Sequence, residues 1–144
     1  MSENWAEIIT SWKGEMVFES ENASGGKVQM GTLDGTPSIG PMQLLLVALA
    51  GCSGMDIVSI LEKKRVDLKD FQMQVRARRS DDFPKVWEEI QVTYLLWAEN
   101  LDPKEVEQAI QLSEEKYCSV GIMLKKAVPV RSKYQILKPG EKVI

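Results

Sequence analysis

The sequence predicts one domain of mixed strands and helices across its 144 residues. Three patterns carry that expectation. Apolar and polar residues alternate in two neighbouring segments near the middle of the chain, a proline-free apolar run precedes them, and Asp102-Pro103-Lys104-Glu105 behind them has the layout of a helix start. A chain of this length buries most of its apolar surface without disulfides or metals, and neither an internal repeat nor a linker interrupts it.

In chain order, the first third reads as strands. Ile8, Ile9, Trp12, Met16 and Phe18 fall in short mixed runs, and Val28 and Met30 alternate beyond the turn-rich Glu21-Asn22-Ala23-Ser24-Gly25-Gly26, which predicts a hairpin. Thr32 to Gly40 holds Gly35, Pro37 and Gly40 and is expected to form an ordered loop. Pro41 suits a first helical turn, and Met42 to Arg65 predicts a helix of about 24 residues, roughly 36 Å long. Its first half, Leu44 to Cys52, is apolar on every side, the pattern of a buried helix. The uncharged part, about 15 residues from Pro41 to Met55, falls short of the roughly 20 that span a bilayer, so a core helix is expected and no membrane partner. Gly51 and Gly54 each cost about 1 kcal/mol relative to alanine in a helix interior, which predicts close approach of another helix or a substrate around Cys52.

Phe71, Met73, Val75 and Ala77 alternate with Gln72, Gln74, Arg76 and Arg78, and Ile90, Val92, Tyr94 and Leu96 repeat the pattern. With a turn at Ser80-Asp81-Asp82-Phe83-Pro84 they predict an antiparallel hairpin with one wet face. Asp102 as N-cap, Pro103 at the first helical position and Glu105 at the third begin a second helix, whose buried face is Val106, Ala109, Ile110, Ser113 and Tyr117. A short helical piece from Met123 to Lys126 and a last strand through Val128, Val130, Tyr134 and Ile136 complete the chain.

Composition narrows the chemistry. Eighteen Lys and Arg against 21 Asp and Glu give a net charge of −3, which argues against a phosphate-neutralising surface and so against nucleic acid as a partner. The chain has no histidine, which removes the usual general base, the Ser-His-Asp and Cys-His mechanisms and the commonest nitrogen ligand of zinc. Two cysteines are too few for a zinc site within one chain, so no metal is expected. The start Met1-Ser2-Glu3-Asn4-Trp5 lacks the basic opening and apolar run of a secretory signal, which predicts a cytoplasmic protein with reduced thiols.

What remains is Cys52 and Cys118, 66 positions apart. An isolated cysteine in an apolar helix is most often a small hydrophobe. Burial raises a thiol pKa, and Asp56, one turn along from Cys52, raises it further when charged, so an activated thiol needs a cation nearby. Lys13, Lys27, Arg76 and Arg131 are candidates, although such residues are ordinarily solvated surface cations.

Gly40-Pro41-Met42-Gln43-Leu44-Leu45-Leu46, followed by Ala48-Leu49-Ala50-Gly51-Cys52-Ser53-Gly54-Met55-Asp56-Ile57-Val58-Ser59-Ile60-Leu61, resembles the central helix of the OsmC/Ohr family. Ser113-Glu114-Glu115-Lys116-Tyr117-Cys118-Ser119-Val120 is similar to the segment bearing the second cysteine in its OsmC-like branch, and the order of elements fits over nearly the whole chain. The resemblance implies an α+β fold: N-terminal strands, a long buried central helix, an antiparallel hairpin, a second helix and a final strand. It implies, too, that two such chains intertwine as a homodimer with sites at the subunit interface. It also implies a thiol-dependent hydroperoxide reductase (peroxidase) of oxidative-stress defence that needs no cofactor. Cys52 as thiolate attacks a small hydroperoxide, Cys118 condenses with the sulfenic acid to a disulfide, and a dithiol reductant restores both.

Members that reduce organic hydroperoxides place a glutamate directly after the helix-start proline, where it positions an arginine from the N-terminal strands over the thiolate. Here Met42 follows Pro41, Gln43 is neutral and no arginine precedes Arg65, which predicts slow turnover. Met42, Gln43, Leu45 and Leu49 are the candidate binding residues, the two leucines shielding Cys52 for an apolar hydroperoxide. Two further readings use the same scaffold: a non-catalytic domain that binds a small apolar ligand, and a regulator of disulfide status in other proteins.

Overall fold

The computed structural model describes residues 4–32 and 35–143. Residues 1–3 of the chain start and Leu33 and Asp34 of the expected loop lie outside the described residues. The chain divides into two compact units, 1–44 and 45–144.

The first unit is an antiparallel meander of β1 (Ile8–Gly14), β2 (Val17–Asn22) and β3 (Lys27–Met30), in that spatial order. In the expected turn after β2 the Asn22 side chain adds to the backbone pairing of Asn22 with Gly25 and Gly26: its Oδ1 accepts from the amides of Ser24 at 3.0 Å and Gly26 at 2.8 Å. A further hairpin joins β1 to β2 through Gly14 (φ 109°) and Glu15 (φ 49°). No Asn-Gly or Asp-Gly pair marks it, so Met16, read from the sequence with the strand residues, instead sits in the turn and is 82% exposed. Gly31 closes against this turn with φ +91°, and a Cβ there would lie 2.1 Å from the Met16 carbonyl oxygen, so neither dihedral nor space admits a side chain.

α1 (Pro41–Lys63) starts in the last residues of the first unit and continues through the second, within two residues of its expected bounds. It ends as Arg65 turns left-handed (φ 60°) and the Val66 amide donates to Leu61 O at 3.0 Å, a Schellman closure. Then follow β4 (Asp70–Arg79), β5 (Trp87–Trp97), α2 (Pro103–Leu112), a π-helical turn at Ser113–Tyr117, α3 (Ser119–Lys125) and β6 (Val130–Leu137). The sheet order is β4-β5-β6, with β4 antiparallel and β6 parallel to the central β5.

Leu49, Ser53, Ile57 and Leu61 recur every four residues and form the buried face of α1. Leu49, Ile57 and Leu61 join one core with Ile90, Val92, Tyr94 and Leu96 of β5 and Val106, Ala109 and Ile110 of α2. Each fully buried aliphatic side chain there contributes about 1.5–3 kcal/mol. The expectation that α1 is buried all round does not hold within one chain: Met55 is 76% exposed, and Val47 and Val58 are also open. One sheet and one helical layer cover only one side of a cylinder. By length and composition α1 does reach the membrane-span range, with a mean hydropathy of 2.1, so counting uncharged residues alone underrated it. Its row of core side chains and the hydrogen bonds of Ser53 and Asp56 mark it as a core helix. At Gly54 the close neighbour is Met73 Sδ of β4, 3.2 Å from a Cβ position, rather than a helix or substrate, and Gly51 has nothing within 4 Å.

The alternation in β4 and most of β5 is as expected. At the end of β5, however, Leu95 and Trp97 are buried with Leu137 as a second cluster, where Trp97 Nε1 donates to Glu141 O at 2.6 Å, so the wet face closes there. Asp102 caps α2 by accepting from the Lys104 amide at 3.0 Å, while the Glu105 carboxylate pairs with Lys64 at 2.7 Å instead of reaching back to the cap. Val106, Ala109, Ile110 and Ser113 are buried as expected, but Tyr117 is 50% exposed. The wider π turn breaks the i, i+4 spacing on which that expectation rested.

Candidate functional site

The π turn sets the position of Cys118. Its amide donates to Ser113 O at 2.7 Å, closing the turn, and its own backbone is extended (φ −77°, ψ 91°), so the π turn ends and α3 is capped at this residue. The thiol does the work usually given to a serine hydroxyl: Sγ accepts from the Gly121 amide at 3.3 Å and caps α3, which therefore starts four residues earlier than expected. Space there is tight. A Cβ at Gly121 would lie 3.1 Å from Cys118 Sγ and 3.3 Å from Leu49 Cδ1.

Cys118 is 1% exposed, and Cys52 is half-buried on α1. Both are free thiols, and Cys52 packs against the core that contains Cys118, near enough to act on its pKa. The fold thus brings together two cysteines that are far apart in sequence. Burial, the largest cause, pushes the Cys118 thiol up to about 11; the Gly121 amide opposes the shift, and Cys52 and the Asp56 carboxylate add to it. Cys118 is accordingly a neutral thiol at pH 7.

Beside the pair runs a polar chain that the sequence reading did not assemble. Ser53 Oγ lies 2.8 Å from Tyr94 Oη and 3.2 Å from Ser113 Oγ; Ser113 Oγ donates to Asp56 Oδ2 at 2.9 Å, and Tyr94 Oη donates to Glu114 Oε1 at 3.3 Å. Burial, chiefly, raises the Tyr94 hydroxyl well above the usual phenol range. Tyr94 and Ser113 read from the sequence only as core positions. The signal that was available is Ser53 and Asp56 at i, i+3 on one face of α1, with Ser113-Glu114 shortly before Cys118.

Of the candidate binding residues, Leu49 is buried and lines a small cavity with Cys118, Ser53 and Tyr94, whereas Leu45 is 39% exposed. Gln43 Oε1 accepts from the Gly40 amide at 3.1 Å, a cap for α1, and Met42 is half-buried in the first turn. The candidate cations lie elsewhere: Lys13 and Lys27 each approach Glu19 at 3.9 Å, Arg131 approaches Glu89 at 3.7 Å, and Arg76 is on the exposed side of β4. The cation lining the Cys118 cavity is Lys125, which the sequence reading missed. A separate open groove of about 620 Å³ runs along α1, with Gly51, Gly54, Met55, Val58, Phe71 and Met73 in its walls and neither cysteine among them. Among the described residues, no group of three or more Cys, Asp or Glu is arranged to hold a metal ion.

Comparison with known proteins agrees with this architecture. The sequence pattern of the family described as OsmC-like protein matches residues 34–133. Protein YhfA of Escherichia coli K12 is 35% identical over 126 residues, 88% of this chain and 94% of YhfA. Among solved structures, a hypothetical protein from Aquifex aeolicus VF5 matches with a TM-score of 0.84 and 32% identity, covering 97% of this chain and all of that one. The organic hydroperoxide resistance protein OhrB of Bacillus subtilis shares the fold at a TM-score of 0.61 and 15% identity, covering 91% of this chain and 98% of OhrB. The α+β architecture, the two-cysteine segments and the 35% identity with YhfA lead to one conclusion: the chain belongs to the OsmC-like family.

Proposed function

We propose that this chain is a homodimeric, cysteine-based redox protein of the cytoplasm that reduces organic hydroperoxides, with Cys52 attacking and Cys118 resolving. The observation that carries this reading is the placement of a half-buried thiol and a fully buried one in the same core cluster, in a chain without histidine. In the first step the Cys52 sulfur takes the distal peroxide oxygen. An S–O bond forms, the O–O bond breaks, and the alcohol leaves with the thiol's proton. In the second step the Cys118 sulfur attacks that of Cys52. The S–S bond forms, the S–O bond breaks, and water leaves carrying the Cys118 proton. Two electrons per peroxide come from the two thiols and are returned by an external dithiol. The raised Cys118 pKa suits the resolving role, since a neutral buried thiol does not compete for peroxide.

Several observations support the remainder of the reading. The family match over 34–133 fits one OsmC-like domain, and the open apolar side of α1, with Met55 and Val58, fits cover by a second copy. The hydroperoxide-resistance function named for the Bacillus subtilis structure supports the substrate class. Leu49, beside Cys118, and Leu45, with Met42 and Gln43 at the head of α1, supply the binding side chains. A second reading, a binding domain for a small apolar ligand, is favoured by the groove that excludes both cysteines.

Stoichiometric tert-butyl hydroperoxide followed by mass spectrometry separates the two. The expected product is a Cys52–Cys118 disulfide in the wild type and a sulfenic acid on Cys52 in Cys118→Ser. Two thiols that persist through the treatment reject the redox reading and leave the binding domain.

A further inference from the structure

The side of the β4-β5-β6 sheet that faces away from the cysteines carries a charge pattern of its own. Val92, Tyr94 and Val130 line the cavity of Cys118, and their neighbours Gln91, Thr93 and Arg131 alternate to the other side. Residues directly opposite one another in a ladder share a face. The register therefore sets Arg76 and Arg131 on either side of Gln91, and Gln74 and Lys133 on either side of Thr93. Arg78 stands opposite Glu89, two residues along β4 from Arg76.

Two adjoining depressions occupy this face and share Gln91. One of about 430 Å³ has Arg76, Arg78 and Glu89 in its walls, and one of about 230 Å³ has Thr93, Arg131 and Lys133. Four cations thus meet one carboxylate, in a chain whose net charge is −3. The ion pairs are loose: Arg131 Nε lies 3.7 Å from Glu89 and Arg78 Nε 3.9 Å from Glu88, with the arginine side chains 76% and 65% exposed. Among the described residues the Arg76 and Lys133 side chains have neither an ion pair nor a hydrogen bond. Exposed pairs of this kind add little to stability, so the fold does not account for gathering the cations on one side of an acidic chain.

We propose that this face docks an extended, carboxylate-rich segment of another protein. Adjacent strands lie about 4.8 Å apart, so β4 and β6 hold their cations as two rails about 10 Å apart, with Gln91 and Thr93 of β5 as a polar floor. An extended segment presents alternate side chains about 6.8 Å apart, which is also the spacing of Arg76 from Arg78 and of Arg131 from Lys133 along their strands. Laid over β5, its inward carboxylates come within reach of both rails, and an arginine takes a carboxylate through two parallel hydrogen bonds. Nucleic acid fits less well, because neither depression has an aromatic ring in its walls for a base to stack on and Glu89 repels a phosphate backbone. The docked segment lies across the sheet from Cys118, so this inference is independent of the thiol chemistry.

Fluorescence anisotropy of a labelled decapeptide of alternating glutamate and threonine tests it, near pH 7 and at about 20 mM salt, where charge attraction is weakly screened. The wild type is expected to bind, and Arg76→Gln/Lys133→Gln to bind about tenfold or more weakly. Lys104→Gln/Lys126→Gln removes the same two charges from exposed positions on other elements and is expected to bind as the wild type does. Circular dichroism of both variants checks that they are folded. A peptide of the same composition with its glutamates in one block is expected to bind more weakly, since its carboxylates cannot all turn to the rails.

No binding by the wild type, equal loss in the two double variants, or equal affinity for the block peptide overturns the proposal. Tighter binding of oligothymidylate than of the alternating peptide overturns it by placing nucleic acid on the face. Low-salt self-association that Arg76→Gln/Lys133→Gln abolishes overturns it by placing another copy of the chain there.

Discussion

Gly121→Ala sets two opposing effects against each other at the thiol pair. Alanine is favoured over glycine in a helix by about 1 kcal/mol, less so in a first turn. Against this, the new methyl would sit 3.1 Å from Cys118 Sγ and 3.3 Å from Leu49 Cδ1, inside the ordinary contact range of about 3.5–4.0 Å. Both neighbours must retreat by a few tenths of an ångström. Cys118 is 1% exposed and Leu49 4%, and the thiol is also held by its capping amide, so neither has free space to enter. Overpacking of this kind costs about 1–3 kcal/mol, and the net expectation is destabilisation of about 1 kcal/mol, a fall in Tm of about 4 °C for a chain of this size.

Urea unfolding of the reduced protein at fixed concentration measures the change, with an unchanged m-value as the check that the transition is the same. In a Cys118→Ser background the shorter Cβ–O bond draws the clashing atom back, so the cost of the alanine should shrink, and a double-mutant cycle reads that coupling. Stabilisation by Gly121→Ala, approaching the full propensity gain, refutes the argument, because the cap would then have room to spare.

The raised Cys118 pKa makes stability depend on alkaline pH: the neutral thiol is favoured in the folded state, so its contribution is intact below about pH 9 and is lost as pH rises through about 11. Tyr94 acts in the same direction above pH 10. The difference between wild type and Cys118→Ser, followed by denaturant titration from pH 8 to 11, isolates the thiol; parallel profiles would contradict its burial as the cause. Sedimentation at micromolar concentration is expected to give a dimer, since Met55 and its neighbours on α1 are otherwise open to water. A monomer with unchanged circular dichroism would remove the interface from the account.

Legibility in the sequence followed the range of the interactions. α1, the β4–β5 hairpin and the Asp102 cap rest on local patterns, apolar period, alternation and capping chemistry, and each was readable from a few adjacent residues. The turn at Gly14-Glu15 and the π turn at Ser113–Tyr117 were not, because nothing in their residue types separates them from continued strand or helix. The two cysteines were legible as residue types and through the family resemblance, but their placement in one core cluster depends on where a non-α turn ends. Tyr94 was harder still: its ring obeys the apolar alternation of β5, and only tertiary packing reveals that its hydroxyl meets Ser53. All-round apolarity of α1 reads as burial, yet it cannot say whether its own chain or another surface supplies the cover.

The parallel pairing of β6 with β5 bears on how the molecule comes together. β4 and β5 are joined by a short turn and pair antiparallel, whereas β6 reaches β5 only after the chain has passed through α2 and α3. A crossover of that length closes a much larger loop, at a greater loss of chain entropy, than the hairpin does. Cys118 lies inside the crossover, whereas Cys52 belongs to a helix that precedes both strands of the hairpin. On a chain growing from its N-terminus, Cys52 therefore emerges from the ribosome well ahead of its partner, and the dithiol is among the last features of the native structure to be assembled.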